Sequence, residues 1–130
     1  MILLDTHIWI WWVHGDDHLS ASQIALLEDN EQEGLAISII SCWEVAKLVE
    51  YKRLILPCAV AEWFDQALRY PGIVLLGLTP SIVLASTQLP AGFHKDPADQ
   101  MIVATARVFD YPLLTSDYKI LNYPHVKALK

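Results

Sequence analysis

A chain of 130 residues that is 54% apolar and 18% charged has the material for one packed core, and too little charge for intrinsic disorder or a basic nucleic-acid-binding tail. Fifteen acidic against nine basic side chains leave a formal charge of −6, which excludes long-range electrostatic capture of a polyanion; a nucleic-acid substrate would need cations in between. The longest unbroken apolar run, Ile8 to Val13, is six residues where a bilayer span needs roughly 18, and Met1-Ile-Leu-Leu-Asp5 lacks the basic start of a secretory signal, so a cytoplasmic protein without membrane contact is expected.

The pattern along the chain alternates strand and helix. Ile2 to Leu4 reads as a short strand ending on Asp5. His7 to Val13 is apolar all round and is stopped by Gly15, while Ser20 caps a second helix with Ile24 and Leu27 in its stripe. Leu35 to Ile39 returns to strand. Ser41-Cys-Trp-Glu44 opens a helix with Val45, Leu48 and Val49 on one face, and Leu54 to Pro57 connects it to a helix over Cys58 to Tyr70. Ile73 to Leu78 is a continuous apolar strand, and Pro80 at a first helical position begins a short helix ending near Leu89. After a loop over Pro90 to Lys95, Asp96-Pro97-Ala98-Asp99 starts a helix whose face is Ile102, Val103, Ala106 and Phe109. Pro112 to Ser116 is a strand ending on Asp117, and Val126 to Leu129 a last edge strand.

Apolar strands separated by helices imply one α/β domain over residues 1–130, with a mainly parallel sheet covered on both sides. Its functional crevice is expected beyond the carboxyl ends of the strands. Cys42 and Cys58 are isolated and read as reduced, buried thiols. Five tryptophans exceed what one small core hides, so part of the apolar surface is expected to meet another chain, first of all a second copy in a homodimer.

That topology gathers carboxylates at one end of the sheet: Asp5 after the first strand, Glu44 at the helix after the second, Asp96 and Asp99 at the helix before the fourth, and Asp117 after the fourth. Converging carboxylates repel one another, and a cluster of them is suited to hard divalent cations such as Mg²⁺ or Mn²⁺. Such ions can activate water and stabilise charge on a phosphodiester, which points to hydrolysis of a nucleic-acid backbone.

The ordered set Asp5-Thr6-His7, Ser38, Ser41-x-x-Glu44, His94-x-Asp96-Pro97-x-Asp99 with Ile102-Val-Ala-Thr-Ala106, and Leu114-Thr115-Ser116-Asp117 resembles the PIN-domain ribonucleases of the VapC toxin type. The resemblance spans essentially the whole chain. It implies an α/β/α sandwich around a parallel sheet, and Mg²⁺- or Mn²⁺-dependent endonucleolytic cleavage of RNA. It also implies a small antitoxin partner that blocks the site. Asp5, Glu44, Asp99 and Asp117 match the family's acidic quartet, which serves catalysis and metal binding together, and Thr6 and Thr115 match hydroxyl positions beside it. Gln100 stands where relatives often carry Arg, removing a basic contact but no ligand.

Each acid also has a plainer reading. Ser41-x-x-Glu44 matches a capping box, Asp96 an N-cap before Pro97 that could also be a fifth carboxylate at the rim, Asp5 a turn residue, and Asp117 a cap for the segment after Ser116. Asp99 differs, because it continues the apolar stripe of its helix, where an unpaired carboxylate is costly. His14-Gly-Asp-Asp-His18 reads as loop, His7 as a structural histidine, and the Trp9, Trp11, Trp12 series as core or subunit contact rather than a base-stacking surface. Two other classes remain: a PIN-like module without catalysis, and a phosphoacceptor receiver. The receiver needs an acid at the end of the third strand, where Leu78-Thr79-Pro80 supplies none.

Overall fold

The computed structural model describes residues 1–90 and 92–130. Its sheet has five strands, all parallel, in the order β3-β2-β1-β4-β5. They are β1 (Ile2–Leu4), β2 (Leu35–Ser38), β3 (Ile73–Leu76), β4 (Leu113–Leu114) and β5 (Ala128–Leu129), connected by α1 (Thr6–His14), α2 (Ala21–Asn30), α3 (Ile39–Glu50), α4 (Val60–Ala67), α5 (Pro80–Ser86), α6 (Pro97–Phe109) and α7 (Tyr118–Leu121).

Strand side chains alternate between two cores, the expected α/β/α layering. Ile2 and Leu4 of β1, Leu35 and Ile37 of β2 and Leu114 of β4 pack with Ile8, Trp9, Leu27, Val45, Trp63 and Ala67, from α1 to α4. Leu3, Ala36 and Leu113 point the other way, onto Ile102, Val103 and Ala106 of α6 and Ile120 of α7. Ala36 and Leu113 both pair with Leu3, so the central strand is buried on both faces and its carboxyl end is held in a fixed place.

Gly15, at φ 59°, ends α1 in the left-handed conformation that a glycine adopts without steric cost. Ser20 and Gln23 form a full capping box on α2. Several expected boundaries move. α3 starts at Ile39, capped by Ser38, whose Oγ accepts from the Ile40 N–H at 3.1 Å. Ser41 therefore lies inside the first turn, and the Ser41–Glu44 capping box does not form. The expected helix over 58–70 contracts to α4, and the strand over 73–78 stops at Leu76. β3 is an edge strand with Val74 and Leu75 exposed, so its apolar run does not mean burial on both sides. Cys42 is buried, but Cys58 is only half-buried. Of the loop expected over 90–95, residue 91 lies outside the described residues. Among those described, no helix is long and apolar enough to cross a membrane.

Candidate active site

Asp5 follows β1 and caps α1: its Oδ1 accepts the Thr6 N–H at 2.9 Å, and its Oδ2 accepts the Thr115 hydroxyl at 2.7 Å. The first bond is a local cap; the second occurs because β1 and β4 are neighbours in register, which sets the residues after Leu4 and Leu114 side by side. The carboxyl is 8% exposed, and this burial raises its pKa above the ordinary 3.8 although both hydrogen bonds pull it back. Thr115 Oγ1 in turn accepts the Asp117 N–H at 3.0 Å, and Asp117 caps α7 by accepting the Lys119 N–H.

Glu44 sits one turn into α3 and faces the start of α1. Thr6 Oγ1 lies 2.5 Å from Glu44 Oε1 and 2.8 Å from Ser41 Oγ. A hydroxyl has one hydrogen, so when Thr6 donates to Glu44, Ser41 donates to Thr6 and the three form a directed chain. Burial lifts the Glu44 pKa from 4.5 to about 7 against that hydrogen bond, with repulsion from Asp5 and Asp96 adding to it.

Asp96 caps α6, accepting the Asp99 N–H at 3.1 Å, with Pro97 at the first helical position. Asp99, on the buried side of that first turn, is pushed from 3.8 to about 7 by burial and then by the charges of Asp5, Asp96, Glu44 and Asp117. These repulsions show that the carboxylates from four segments share one field. They line one cleft of about 390 Å³ together with Thr6, His7, Trp11 and Ser116. The expected residues are therefore gathered: Asp5, Glu44, Asp96, Asp99 and Asp117 line the cleft, Thr6 touches Glu44, and Thr115 touches Asp5 from beneath. Asp96 and Asp117 are both helix caps and members of the cleft wall.

Besides Ser116 in the cleft wall, three residues join the site that the pattern alone did not assign to it. His94 Nε2 lies 3.1 Å from Asp99 Oδ2, off the line of a hydrogen bond and without another partner. Its signal was its place two residues before the Asp96 cap, whose N–H approaches His94 Nδ1 at 3.4 Å. His7 and Trp11, expected in structural roles, line the cleft; they lie two and six positions beyond Asp5, on the α1 face turned towards it. The loop after α1 brings Asp16, Asp17 and His18 within 4.8 Å of one another, on an exposed turn as expected.

Residues 2–126 match the PIN domain family. The chain is 33% identical over 128 residues to "Ribonuclease VapC22" of Mycobacterium tuberculosis, covering 98% of this chain and 95% of that protein. Among solved structures it superposes on FitAcB of Neisseria gonorrhoeae with a TM-score of 0.70 at 22% identity, covering 100% of this chain and 97% of that one. VapBC2 of Rickettsia felis, bound to a DNA fragment from its promoter, gives 0.68 at 18% identity, over 99% and 98%. A toxin–antitoxin complex from Klebsiella pneumoniae gives 0.68 at 20% identity, over 100% and 97%.

Proposed function

The chain belongs to the PIN-domain family, as a VapC-type ribonuclease toxin, and from that premise we propose that its acidic cleft is a metal-dependent endoribonuclease centre using Asp5, Glu44, Asp99 and Asp117. The observation that carries this reading is the convergence of those four carboxylates on one cleft, where burial and then mutual repulsion push the pKa of Glu44 and of Asp99 up to about 7. An all-oxygen donor set whose charges oppose one another fits a hard divalent cation, Mg²⁺ or Mn²⁺. When bound, the ion supplies positive charge that stabilises the phosphodiester as it is attacked and makes a nearby water more acidic.

The protein's own part is positioning. Thr115 and the Thr6 N–H fix both oxygens of Asp5, and the Ser41–Thr6 chain fixes Glu44 Oε1. Asp99 stands on a helix whose N-terminus is locked by Asp96 and Pro97. A rigid donor set of this kind is what catalysis by charge complementarity requires. With a formal charge of −6, the protein relies on bound cations to admit an RNA backbone at all.

The partner we propose is a cognate antitoxin, in keeping with relatives solved as toxin–antitoxin complexes. Exposed apolar side chains offer the contact area for it and for a second copy: Ile55 is 89% exposed, Leu84 58% and Trp43 52%. A ribonuclease of cellular RNA would work in the cytoplasm, and we propose that location for it. The test is incubation of purified, antitoxin-free protein with total RNA, with and without Mg²⁺, followed by sequencing of the new ends. Discrete Mg²⁺-dependent cuts support the reading, and RNA left intact in both conditions overturns it.

A further inference from the structure

At the rim of the cleft, Trp11 carries a second ring. His18 stacks on it with centroids 4.9 Å apart and planes 12° from parallel, while His7 lies against it at 5.9 Å. The stack is built by the chain. Gly15 in its left-handed conformation turns the backbone after α1 so that residues 16–18 fold back over the helix, and the Asp16 N–H closes onto the Trp11 carbonyl at 2.9 Å. Asp16 Oδ1 then accepts the His18 N–H at 2.8 Å and meets His18 Nδ1 at 2.6 Å, fixing the ring's orientation. Trp11 leans on the hydrophobic core and reaches the cleft, whereas His18 is 66% exposed and nothing among the described residues stacks on its outer face.

We propose that the Trp11–His18 stack is a nucleobase platform: a base of single-stranded RNA lies on the outer face of His18, beside the acidic cleft that takes its phosphate. The proposal rests on the ribonuclease reading and extends it to substrate binding. Two physical facts favour a base over a phosphate here. Asp16 and Asp17 flank the imidazole and repel a backbone anion, and a protein of charge −6 gains little from counterion release, so its hold on RNA must draw on stacking. The platform is sequence-tolerant, because every base has a π face.

The test measures binding of short single-stranded RNA by fluorescence anisotropy, on an Asp5→Asn background that prevents cleavage. Loss of one stacked base corresponds to roughly 5- to 150-fold weaker binding. His18→Ala should show a loss in that range and His18→Phe should recover it, because Phe stacks without charge. Scanning an abasic nucleotide along the RNA should find one position at which binding drops for the parent and the Phe variant but not for the Ala variant. A charge role predicts instead that Phe fails like Ala. Phe failing, Ala binding as tightly as the parent, or Ala losing affinity for intact and abasic RNA alike would each overturn the platform. Cleavage of the same RNA by the wild type in Mg²⁺ separates the two levels: normal cleavage with no position-specific abasic effect removes the platform alone, whereas no cleavage removes the ribonuclease reading and the platform with it.

Discussion

Thr115 donates its hydroxyl to Asp5 Oδ2 at 2.7 Å while accepting the Asp117 N–H at 3.0 Å, so one side chain at the end of β4 sets the positions of two carboxylates from different segments. The relationship ties parallel strand pairing directly to the geometry of the cleft. It also makes Thr115 a test of positioning that leaves every carboxylate in place.

Thr115→Val keeps the volume and removes the hydroxyl. Asp5 then loses a donor while still buried, which should cost about 1–3 kcal/mol of stability and push its pKa further up. Mn²⁺ binding should weaken and cleavage should fall, whereas Thr115→Ser should restore both. Thermal unfolding and calorimetric Mn²⁺ titration of the two variants decide it; equal Mn²⁺ affinity in Val and wild type would show that Asp5 needs no such anchor.

Asp99→Asn should abolish Mg²⁺-dependent RNA cleavage and stabilise the metal-free protein. The sign follows from the raised pKa. Folded Asp99 holds its proton up to about 7 while the unfolded chain releases it near the ordinary 3.8, so wild-type stability falls as pH climbs through that window and the loss is complete above it. Asn has no charge to penalise. Its melting temperature should match the wild type at about pH 4 and exceed it on the order of 5 °C at about pH 8 in EDTA. Saturating Mg²⁺ should close the gap by stabilising only the wild type. A pH-independent difference would place Asp99 outside the repelling cluster. Asp5→Asn should also abolish cleavage but stabilise less, because an amide at position 5 cannot accept both the Thr6 N–H and the Thr115 hydroxyl.

The strands and helices were legible in the sequence because they depend on local signals that tertiary structure reinforces, and the gathering of the acids in one cleft was legible because their places at strand and helix ends follow from that order of elements. Strand runs such as Ile2 to Leu4 and caps such as Asp96-Pro97 mean the same thing in isolation and in the molecule. What failed was one-dimensional for a different reason. Ser41-x-x-Glu44 has the letters of a capping box, but Ser38 caps first and turns Glu44 towards Thr6, 38 residues away in the chain. β3 has the composition of a buried strand and lies at an edge, because position in a sheet is set by strand order and not by the strand itself. Trp11 and His94 escaped because aromatic periodicity on α1 and a histidine before a helix cap have structural meanings more often than functional ones. Only the cleft distinguishes the two meanings.

Self-association is the third expectation. Trp9 and Trp63 are buried at 0% and 2% exposure, yet Trp43, Ile55 and Leu84 stand open and offer apolar area for a second chain to cover. Sedimentation should show a dimer at about 50 μM, on the order needed to populate a weak self-complex. A monomer throughout that range would leave the exposed surface to the antitoxin.

Glu44→Gln separates ligand from scaffold. With Ser38 as the cap, Glu44 has no capping role to lose, and Gln Oε1 still accepts the Thr6 hydroxyl, so the fold should be spared. Removing a carboxylate whose pKa sits at about 7 should even stabilise the metal-free protein above that pH, by the same sign as for Asp99. Cleavage should nevertheless fall steeply, because a hard cation prefers the charged oxygen to the amide. Excess Mn²⁺ should recover part of the rate, since losing one of several ligands lowers affinity before it destroys the site. Glu44→Ala should lie below Gln in stability by about 1 kcal/mol, because it lacks the acceptor that Gln keeps for the Thr6 hydroxyl, which then turns to Ser41 Oγ. The deciding measurement is a Mn²⁺ titration of cleavage for wild type, Gln and Ala beside their unfolding curves: a Gln variant with wild-type rate at every Mn²⁺ concentration would remove Glu44 from the metal site and leave Asp5, Asp99 and Asp117 to hold the ion.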